Sequence, residues 1–332
     1  MTKHAVRGWT LAGFIACVSG LPHGWTQAHG QPAAYPNKPI RFLIANAPGG
    51  GLDVTARVTG PTVSSALGQQ LIYDNRAGAT GSIAAETVAK SAPDGYTIMV
   101  GAIGNLAVNP HLYKNLGYDP IRDLAPVTFA VSGSNVLVVH PSLPVKSVQE
   151  LIAQLRKQPG ALTYGSSGSG NAGHLAAELF CSMTKTRMVH VPYKGGAPAM
   201  TAMLSGEVQL IFASPPTAQT QVKAGRVRAL AVTTARRSLV LPELPTIAES
   251  GLPGFETDNW YGIVVPARTP RAIVDRLNKE FGRALNMPDI KEALLRTGLE
   301  TAPGTPEAFG AYMKSEYQKW GKLIAETGMP AN

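Results

Sequence analysis

From Ile40 onward, short apolar runs alternate with longer segments of helical spacing, and this alternation narrows the available folds more than any other feature of the chain. Short runs without a polar face suit strands buried on both sides, and helical segments between them suit crossovers that cover a parallel sheet. The reading is therefore α/β. Candidate strands are Ile40 to Ala45, Gln70 to Tyr73, Thr97 to Val100, Val136 to Val139, Leu162 to Tyr164, Met188 to Val191, Val208 to Phe212, Arg228 to Thr233 and Tyr261 to Val265. That is more than one simple half-fold needs.

Helix starts are marked by their caps. Ser147-Val148-Gln149-Glu150 forms a capping box in which Ser147 accepts from the Glu150 amide while Glu150 reaches back. Thr269-Pro270 and Thr305-Pro306 each place a hydroxyl cap before a proline at the first helical position. Behind Pro270, Ile273, Leu277, Phe281 and Leu285 recur every fourth place and predict a helix with one face on a core. Phe309, Met313, Tyr317 and Trp320 do the same for a carboxy-terminal helix docked on a sheet. From His174, the residues Leu175, Leu179 and Met183 are expected to face inward.

The pattern breaks near Val131-Ser132-Gly133-Ser134-Asn135 and again near Ser250-Gly251-Leu252-Pro253-Gly254. Taken as interdomain crossings, these breaks put residues 132–253 in one lobe and combine 36–131 with 254–332 in the other. No period of 20 to 50 residues repeats, which removes solenoids and propellers.

The amino terminus has the layout of a secretory signal: Lys3 and Arg7, an uncharged run from Trp9 to Leu21, then a polar stretch ending Thr26-Gln27-Ala28. Residues 1–28 are expected to be removed after Ala28, leaving a soluble product outside the cytoplasm. The run is diluted by Gly13, Ser19 and Gly20 and is short for a membrane span, which needs about 20 apolar residues. Phe14-Ile15-Ala16-Cys17 resembles a lipid-attachment box only loosely. Loss of Cys17 with the leader would leave Cys181 alone, so no disulfide could form within one mature chain.

The composition, 44% hydrophobic and 15% charged, belongs to a globular protein. A formal charge of +9 falls to +7 without Lys3 and Arg7. The basic residues are scattered, densest at Arg236-Arg237 and at Lys223, Arg226 and Arg228, and they form no stripe with interleaved aromatics of the kind nucleic-acid binders show. No nucleic-acid partner is expected. The field is mild and favours anions.

Two glycine-rich turns could carry chemistry. The first run, Ile40 to Ala45, leads into Asn46-Ala47-Pro48-Gly49-Gly50-Gly51 and then a helix beginning near Leu52-Asp53. Glycines at a strand-to-helix turn let backbone approach a ligand closely, and the helix start offers unpaired amides to an anion. The same turn can also be a tight βα connection and nothing more. The device recurs at Gly165-Ser166-Ser167-Gly168-Ser169-Gly170-Asn171-Ala172-Gly173, ahead of the helix from His174. Two such loops, one per lobe, suggest a ligand gripped from both sides.

Other chemistries fit less well. Gly168, Gly170 and Gly173 match a dinucleotide fingerprint, but the expected acid about 20 positions on is replaced by Val191-Pro192-Tyr193-Lys194. Ser167 lacks the closing glycine of a nucleophile elbow. His174 and Glu178 stand four apart on one helix face with His190 as a conceivable third metal ligand, a set that is incomplete for a structural or catalytic metal. Asp53 and Arg57, also four apart, read as an ion pair.

These segments resemble the substrate-binding receptors of tripartite tricarboxylate transporters, the Bug-type receptors. The likeness runs through Ala47-Pro48-Gly49-Gly50-Gly51-Leu52-Asp53 with Ala56-Arg57, Asp74-Asn75-Arg76-Ala77-Gly78, Asn109-Pro110-His111-Leu112-Tyr113, Tyr164-Gly165-Ser166-Ser167-Gly168, Val191-Pro192-Tyr193-Lys194-Gly195-Gly196 and Trp260-Tyr261-Gly262. What the resemblance implies is a two-lobed, periplasmic, type II binding-protein fold that closes on a small organic carboxylate. It also implies no catalysis, no cofactor, no metal, a monomeric state, and a partner that is either an integral membrane transporter or a sensor. The matching positions are Ala47, Gly49, Gly50, Gly51 and Asp53 in the first loop, and Ser166, Ser167, Gly168, Ser169 and Asn171 in the second, with His174 opening the helix. Gly104, Asn105, Tyr193, Lys194 and Gly195 are expected to complete the wall. At Phe212-Ala213-Ser214 many relatives carry an Asp after the Phe. Ala213 leaves room and no charge there, which favours a plain or aromatic carboxylate over an amino acid.

Overall fold

Ile40, Phe42, Leu43 and Ile44 are each fully buried, and a five-residue segment with buried side chains on both faces suits an interior strand of a covered sheet. The computed structural model describes residues 35–327. Its strands, in chain order, are β1 (Ile40–Ile44), β2 (Leu71–Asn75), β3 (Thr97–Ala102), β4 (Leu124–Gly133), β5 (Val136–Val139), β6 (Thr163–Ser166), β7 (Val189–Pro192), β8 (Leu210–Ala213), β9 (Arg228–Val232), β10 (Asn259–Pro266) and β11 (Glu300–Thr301). The helices are α1 (Gly51–Leu67), α2 (Ser82–Ala89), α3 (Asn109–Leu112), α4 (Val148–Lys157), α5 (Ala172–Thr184), α6 (Gly196–Leu204), α7 (Pro215–Lys223), α8 (Arg271–Asn286), α9 (Pro288–Leu295) and α10 (Pro306–Thr327). The predicted leader, residues 1–28 with Cys17, lies outside the described residues.

The strands form two sheets, ordered β11-β4-β10-β3-β1-β2 and β7-β6-β8-β5-β9. Each is the kernel of one lobe, so the architecture is the two-lobed α/β fold of type II. The sheets are mixed rather than parallel throughout. β1, β2 and β3 run parallel, as do β6, β7 and β8, but β10 is antiparallel to β3 and to β4, and β5 is antiparallel to β8 and β9. The antiparallel strands come from the segments that cross between sheets: β4 leads directly into β5, and β9 connects back to β10. A strand that enters from the other lobe needs no helical crossover and is free to pair in the opposite direction.

Of the predicted strands, all nine occur, with ends shifted by at most two residues and Val136–Val139 unshifted. β4 and β11 were not predicted. β4 holds Pro126, which cannot donate to a ladder and argues against an interior strand. The sheet accommodates it at a register shift between Ile263 and Val264, where Pro126 lies opposite Val264.

Helix α4 begins as its capping box requires: the Glu150 amide donates to Ser147 Oγ at 3.1 Å. Glu150, however, accepts from the Lys146 amide at 2.7 Å, one residue earlier than a standard box. The Ala308 amide donates to Thr305 Oγ1 and caps α10. Thr269 does not cap α8, since its hydroxyl donates to the Pro266 carbonyl at 2.7 Å and Pro270 stands at the cap position. The α8 stripe buries Val274, Leu277, Phe281, Ala284 and Leu285 against the first sheet, and each of the larger ones stabilises by about 1.5–3 kcal/mol relative to exposure. In α5 the buried face is Leu175, Ala176, Ala177, Phe180 and Thr184. Met183 is exposed, because the true stripe widens around Phe180 rather than following every fourth residue.

On α10, Phe309, Met313 and Trp320 are buried, and Glu316 is buried with them. Its Oε2 accepts from the indole nitrogen of Trp320, four residues on in α10, at 2.8 Å and from that of Trp260 at 3.0 Å, and the second bond ties the carboxy-terminal helix to β10. No helix among the described residues is long and apolar enough to cross a membrane.

Candidate functional site

Four helices start at the carboxyl ends of strands and face one cavity between the sheets, the place where open α/β sheets take ligands. β1 hands over to α1, β6 to α5, β7 to α6 and β8 to α7. The inner cavity is lined by Ala45, Asn46, Gly50, Gly51 and Leu52 from the first lobe and by Gly165 to Ser167, Asn171 to Gly173, Gly196, Ala199 and Ile211 to Ser214 from the second, with Thr217. Asn135, Asn259, Tyr261 and Ala102 complete it. No ionised side chain is among these residues.

The helix starts supply what the side chains lack. The cap residues of α1, α5 and α6 are Gly50, Asn171 and Gly195, and none makes a side-chain cap hydrogen bond. Their first turns contribute Gly51 and Leu52, Ala172 and Gly173, and Gly196 to the cavity wall, so the positive end of each helix dipole lies at the cavity, and a negative charge placed there gains about 0.3–1 kcal/mol per helix, up to about 2 in partly buried geometry. α7 differs, because Pro215 and Pro216 have no N–H to give. It offers hydroxyls instead, Ser214 Oγ and Thr217 Oγ1, held 2.9 Å apart.

Glycine at three of these positions is a matter of space. A Cβ on Gly51 would overlap the Tyr261 hydroxyl, one on Gly173 would stand 2.5 Å from the Phe212 carbonyl, and one on Gly195, where φ is +130°, would stand 2.6 Å from Asn46 Oδ1 across the cleft. The lobes are thus already in contact at their rims.

Among the residues anticipated from sequence, Gly50, Gly51, Ser166, Ser167, Asn171, Ala213 and Ser214 line the inner cavity. Gly168, Ser169, Tyr193 and Lys194 line an outer vestibule with Thr80 and Tyr113, where Lys194 is the one cationic side chain among the described residues. Ala47, Gly49, Asp53, Gly104, Asn105, His174 and Gly195 line neither. Asp53 works from behind the loop: its carboxylate accepts from the Gly49 amide at 3.0 Å, Arg57 Nε at 2.9 Å and Asn75 Nδ2 at 3.0 Å. Burial pushes this carboxyl up, and those three hydrogen bonds outweigh it and hold it below the ordinary range. Asn105 is fully enclosed, accepting from the Ala102 amide and donating to the Thr80 carbonyl.

His174 also works from behind. Its Nδ1 accepts from the Gly170 amide at 2.9 Å, which shapes the second loop. Its ring stacks on His190 with centroids 4.1 Å apart, and His190 stacks on Tyr164 at 4.8 Å. His190 Nε2 shares a 2.6 Å hydrogen bond with Ser166 Oγ. Burial lowers His174 to about 3, with His190 beside it adding to the shift, and lowers His190 to about 4, so both rings are neutral near pH 7. His174 Nε2 lies 3.8 Å from Glu178 Oε1, whose oxygen already accepts from the Tyr164 hydroxyl at 2.6 Å. No group of metal-ligating side chains is assembled among the described residues, and no hydrogen bond joins Ser167 to a histidine there.

Thr80 was not anticipated. It lies in the left-handed region with φ +53°, its carbonyl is held by Asn105 and Asn109, and its hydroxyl donates across the cleft to the Ser169 carbonyl at 2.5 Å. Asn135, Asn259 and Tyr261 were also missed as cavity residues. They stand singly at the edges of apolar runs, and only their position where the chain passes between the sheets marks them.

The model of the tripartite tricarboxylate transporter family receptor matches residues 55–329. The chain is 35% identical over 295 residues to the protein BugT of Bordetella pertussis, covering 89% of this chain and 90% of that one. It is 39% identical to an R. palustris protein solved with adipate, with a TM-score of 0.85 over 89% of this chain and 98% of that one. It is 28% identical to MatC of Rhodopseudomonas palustris solved with malate, with a TM-score of 0.82 over 87% of this chain and all of the other.

Proposed function

Because the chain belongs to the family of tripartite tricarboxylate transporter receptors, and is thus a solute-binding receptor, we propose that it captures a small organic carboxylate between its lobes, without turnover, and presents it to an integral membrane transporter. The observation that carries this reading is the convergence of three uncapped helix starts on a cavity with no ionised side chain among the described residues that line it. Such a cavity suits an anion served by amides, and a carboxylate accepts several of them at once. That similar proteins were solved with adipate and with malate is in keeping with it.

In this reading the carboxylate meets the amides of Gly50 to Leu52 and of Ala172 and Gly173, with Ser166, Ser167, Asn171 and Ser214 beside it. Residues 36–131 with 254–332 form one moving lobe and 132–253 the other. Closure is favoured because a ligand touching both lobes has its full contacts only in the shut state. The signal layout of residues 1–28 supports a periplasmic location for the mature receptor.

The test is to identify by mass spectrometry what co-purifies with the protein, and then to follow thermal unfolding with mono-, di- and tricarboxylates. A true ligand at a hundredfold its dissociation constant stabilises by about 2.7 kcal/mol. A co-purified ligand with no acidic group, together with a panel in which no acid moves the transition, would end the carboxylate reading.

A further inference from the structure

At the outer vestibule a hydrogen bond joins the two lobes, and unusual local structure sets both of its partners. Thr80, between β2 and α2 in the first lobe, donates its hydroxyl to the Ser169 carbonyl of the second at 2.5 Å. A β-branched residue in the left-handed region, at φ +53°, is an outlier that persists only where its surroundings impose it. Asn105 and Asn109 do so here, each donating its side-chain amide to the Thr80 carbonyl, at 3.3 and 3.4 Å. The Tyr113 hydroxyl lies 3.3 Å from Thr80 Oγ1 and can donate to it, which leaves the Thr80 proton to Ser169.

The acceptor is fixed from behind. The peptide unit that carries the Ser169 carbonyl also carries the Gly170 amide, and that amide donates to His174 Nδ1 at 2.9 Å. One planar unit is therefore held at both ends, its N–H by an imidazole of its own lobe and its C=O by a hydroxyl of the other. Turning the plane breaks both bonds, and making one polarises the unit for the other. His174 is 6% exposed, and a ring that accepts at Nδ1 is neutral with its proton on Nε2. Gly170 leaves no slack, because a Cβ there, at φ +84°, would stand 2.8 Å from Leu112 Cδ1 of the first lobe.

We infer that His174 is a positioning residue of a latch between the lobes: by accepting from the Gly170 amide it aims the Ser169 carbonyl at the Thr80 hydroxyl, and the bond so formed holds the lobes shut and slows release of what they enclose. The bond exists only in the shut state, so it shifts the balance of open and shut forms without touching the ligand. The inference rests on the reading of the chain as a receptor that shuts on a solute, and not on the chemistry of that solute.

The experiment compares the mature protein with Thr80→Val and His174→Phe, which remove the donor and the aiming acceptor while keeping the volume, and with Thr80→Ser and His174→Asn, which keep them. Small-angle scattering of the ligand-free proteins reads the latch directly. Thr80→Val and His174→Phe should each give a larger radius of gyration, and Thr80→Ser and His174→Asn the original one. With adipate as the probe, the first two should dissociate about fivefold faster, the effect of one net hydrogen bond, at an unchanged association rate. The double variant Thr80→Val with His174→Phe should be no faster than either alone, because both act on one bond. If His174→Phe does not fold, His174→Gln, whose acceptor reaches from the other ring position, takes its place. An unchanged radius in Thr80→Val, two effects that multiply, or a His174→Asn variant as open as His174→Phe overturns the latch. If adipate and every other acid fail to bind, the carboxylate reading has failed, and scattering of the ligand-free proteins still decides the latch.

Discussion

Helix α4 and helices α1 and α5 solve the same problem in opposite ways. Each begins with amides that no preceding turn can satisfy. On α4, Ser147 takes the Glu150 amide and Glu150 takes the Lys146 amide, so the helix closes its own end. On α1 and α5 the cap positions are Gly50 and Asn171, and neither side chain makes a cap hydrogen bond. Asp53, the acid in the first turn of α1, turns back to the Gly49 amide and to Arg57 rather than filling the cavity. A helix that caps itself gains stability and has nothing left for a ligand. A helix that does not cap itself leaves its first amides to water or to a ligand, and where it opens on a cavity an anion can take them.

The contrast can be broken at one residue. Gly50 has an extended backbone, with φ −85° and ψ 172°, that any residue adopts, and a Cβ there stands 3.2 Å from Asn46 Nδ2, a contact that a small shift relieves. Gly50→Asp would give α1 a cap of its own, with a fixed carboxylate in the seat of the ligand's. Carboxylate affinity is expected to fall at least a hundredfold in calorimetry, about 2.7 kcal/mol, while the thermal transition holds or rises. Undiminished affinity in a folded variant would mean that α1 does not face the anion.

A second difference is what anchors each helix start. A hydroxyl anchors α4, whereas two neutral imidazoles anchor the loop before α5 through Gly170 and Ser166. His174 is lowered to about 3 and His190 to about 4 by burial, below the value of about 6.5 expected in the unfolded chain. Between pH 6.5 and 4 the unfolded chain therefore binds protons that the folded one refuses. The stability these rings contribute is complete above pH 6.5 and is lost as pH falls through that window, by about 1.4 kcal/mol per pH unit per histidine. His190→Phe should flatten the dependence of unfolding free energy on pH by about that amount. An unchanged slope would show that His190 is not held neutral.

The sequence made these two regions unequally legible. The capping box at Ser147 and the glycine loops at 46–51 and 165–173 are local, and spacing alone places them at helix starts. β4 was hidden by Pro126, whose missing N–H argues against a strand until the shifted register opposite Val264 is seen. Asp53 and His174 stand in the right segments, but their direction depends on partners at Asn75 and His190, which no local pattern supplies. Asn135 reads as the end of a break between lobes and Tyr261 as the start of a strand, and Asn259 carries no local signal. Their shared cavity exists only after β4, β5 and β10 have brought distant parts of the chain together.

The smallest effect tests the other side of the contrast. Ser147→Ala removes the cap of α4 and leaves Glu150 its bond to the Lys146 amide, so the expected cost is about 1 kcal/mol, read as a fall of about 2 °C in the thermal midpoint. Val148, Leu151 and Leu155 keep the helix buried against its own lobe, and α4 contributes nothing to the cavity wall. Carboxylate affinity should therefore be unchanged in this variant, at any ligand length. A cap removed from α4 would lower stability and spare binding, and a cap added to α1 would do the reverse. If Ser147→Ala weakened the ligand, the start of α4 would be coupled to the cleft, and the division between helices that close themselves and helices that wait for an anion would fail.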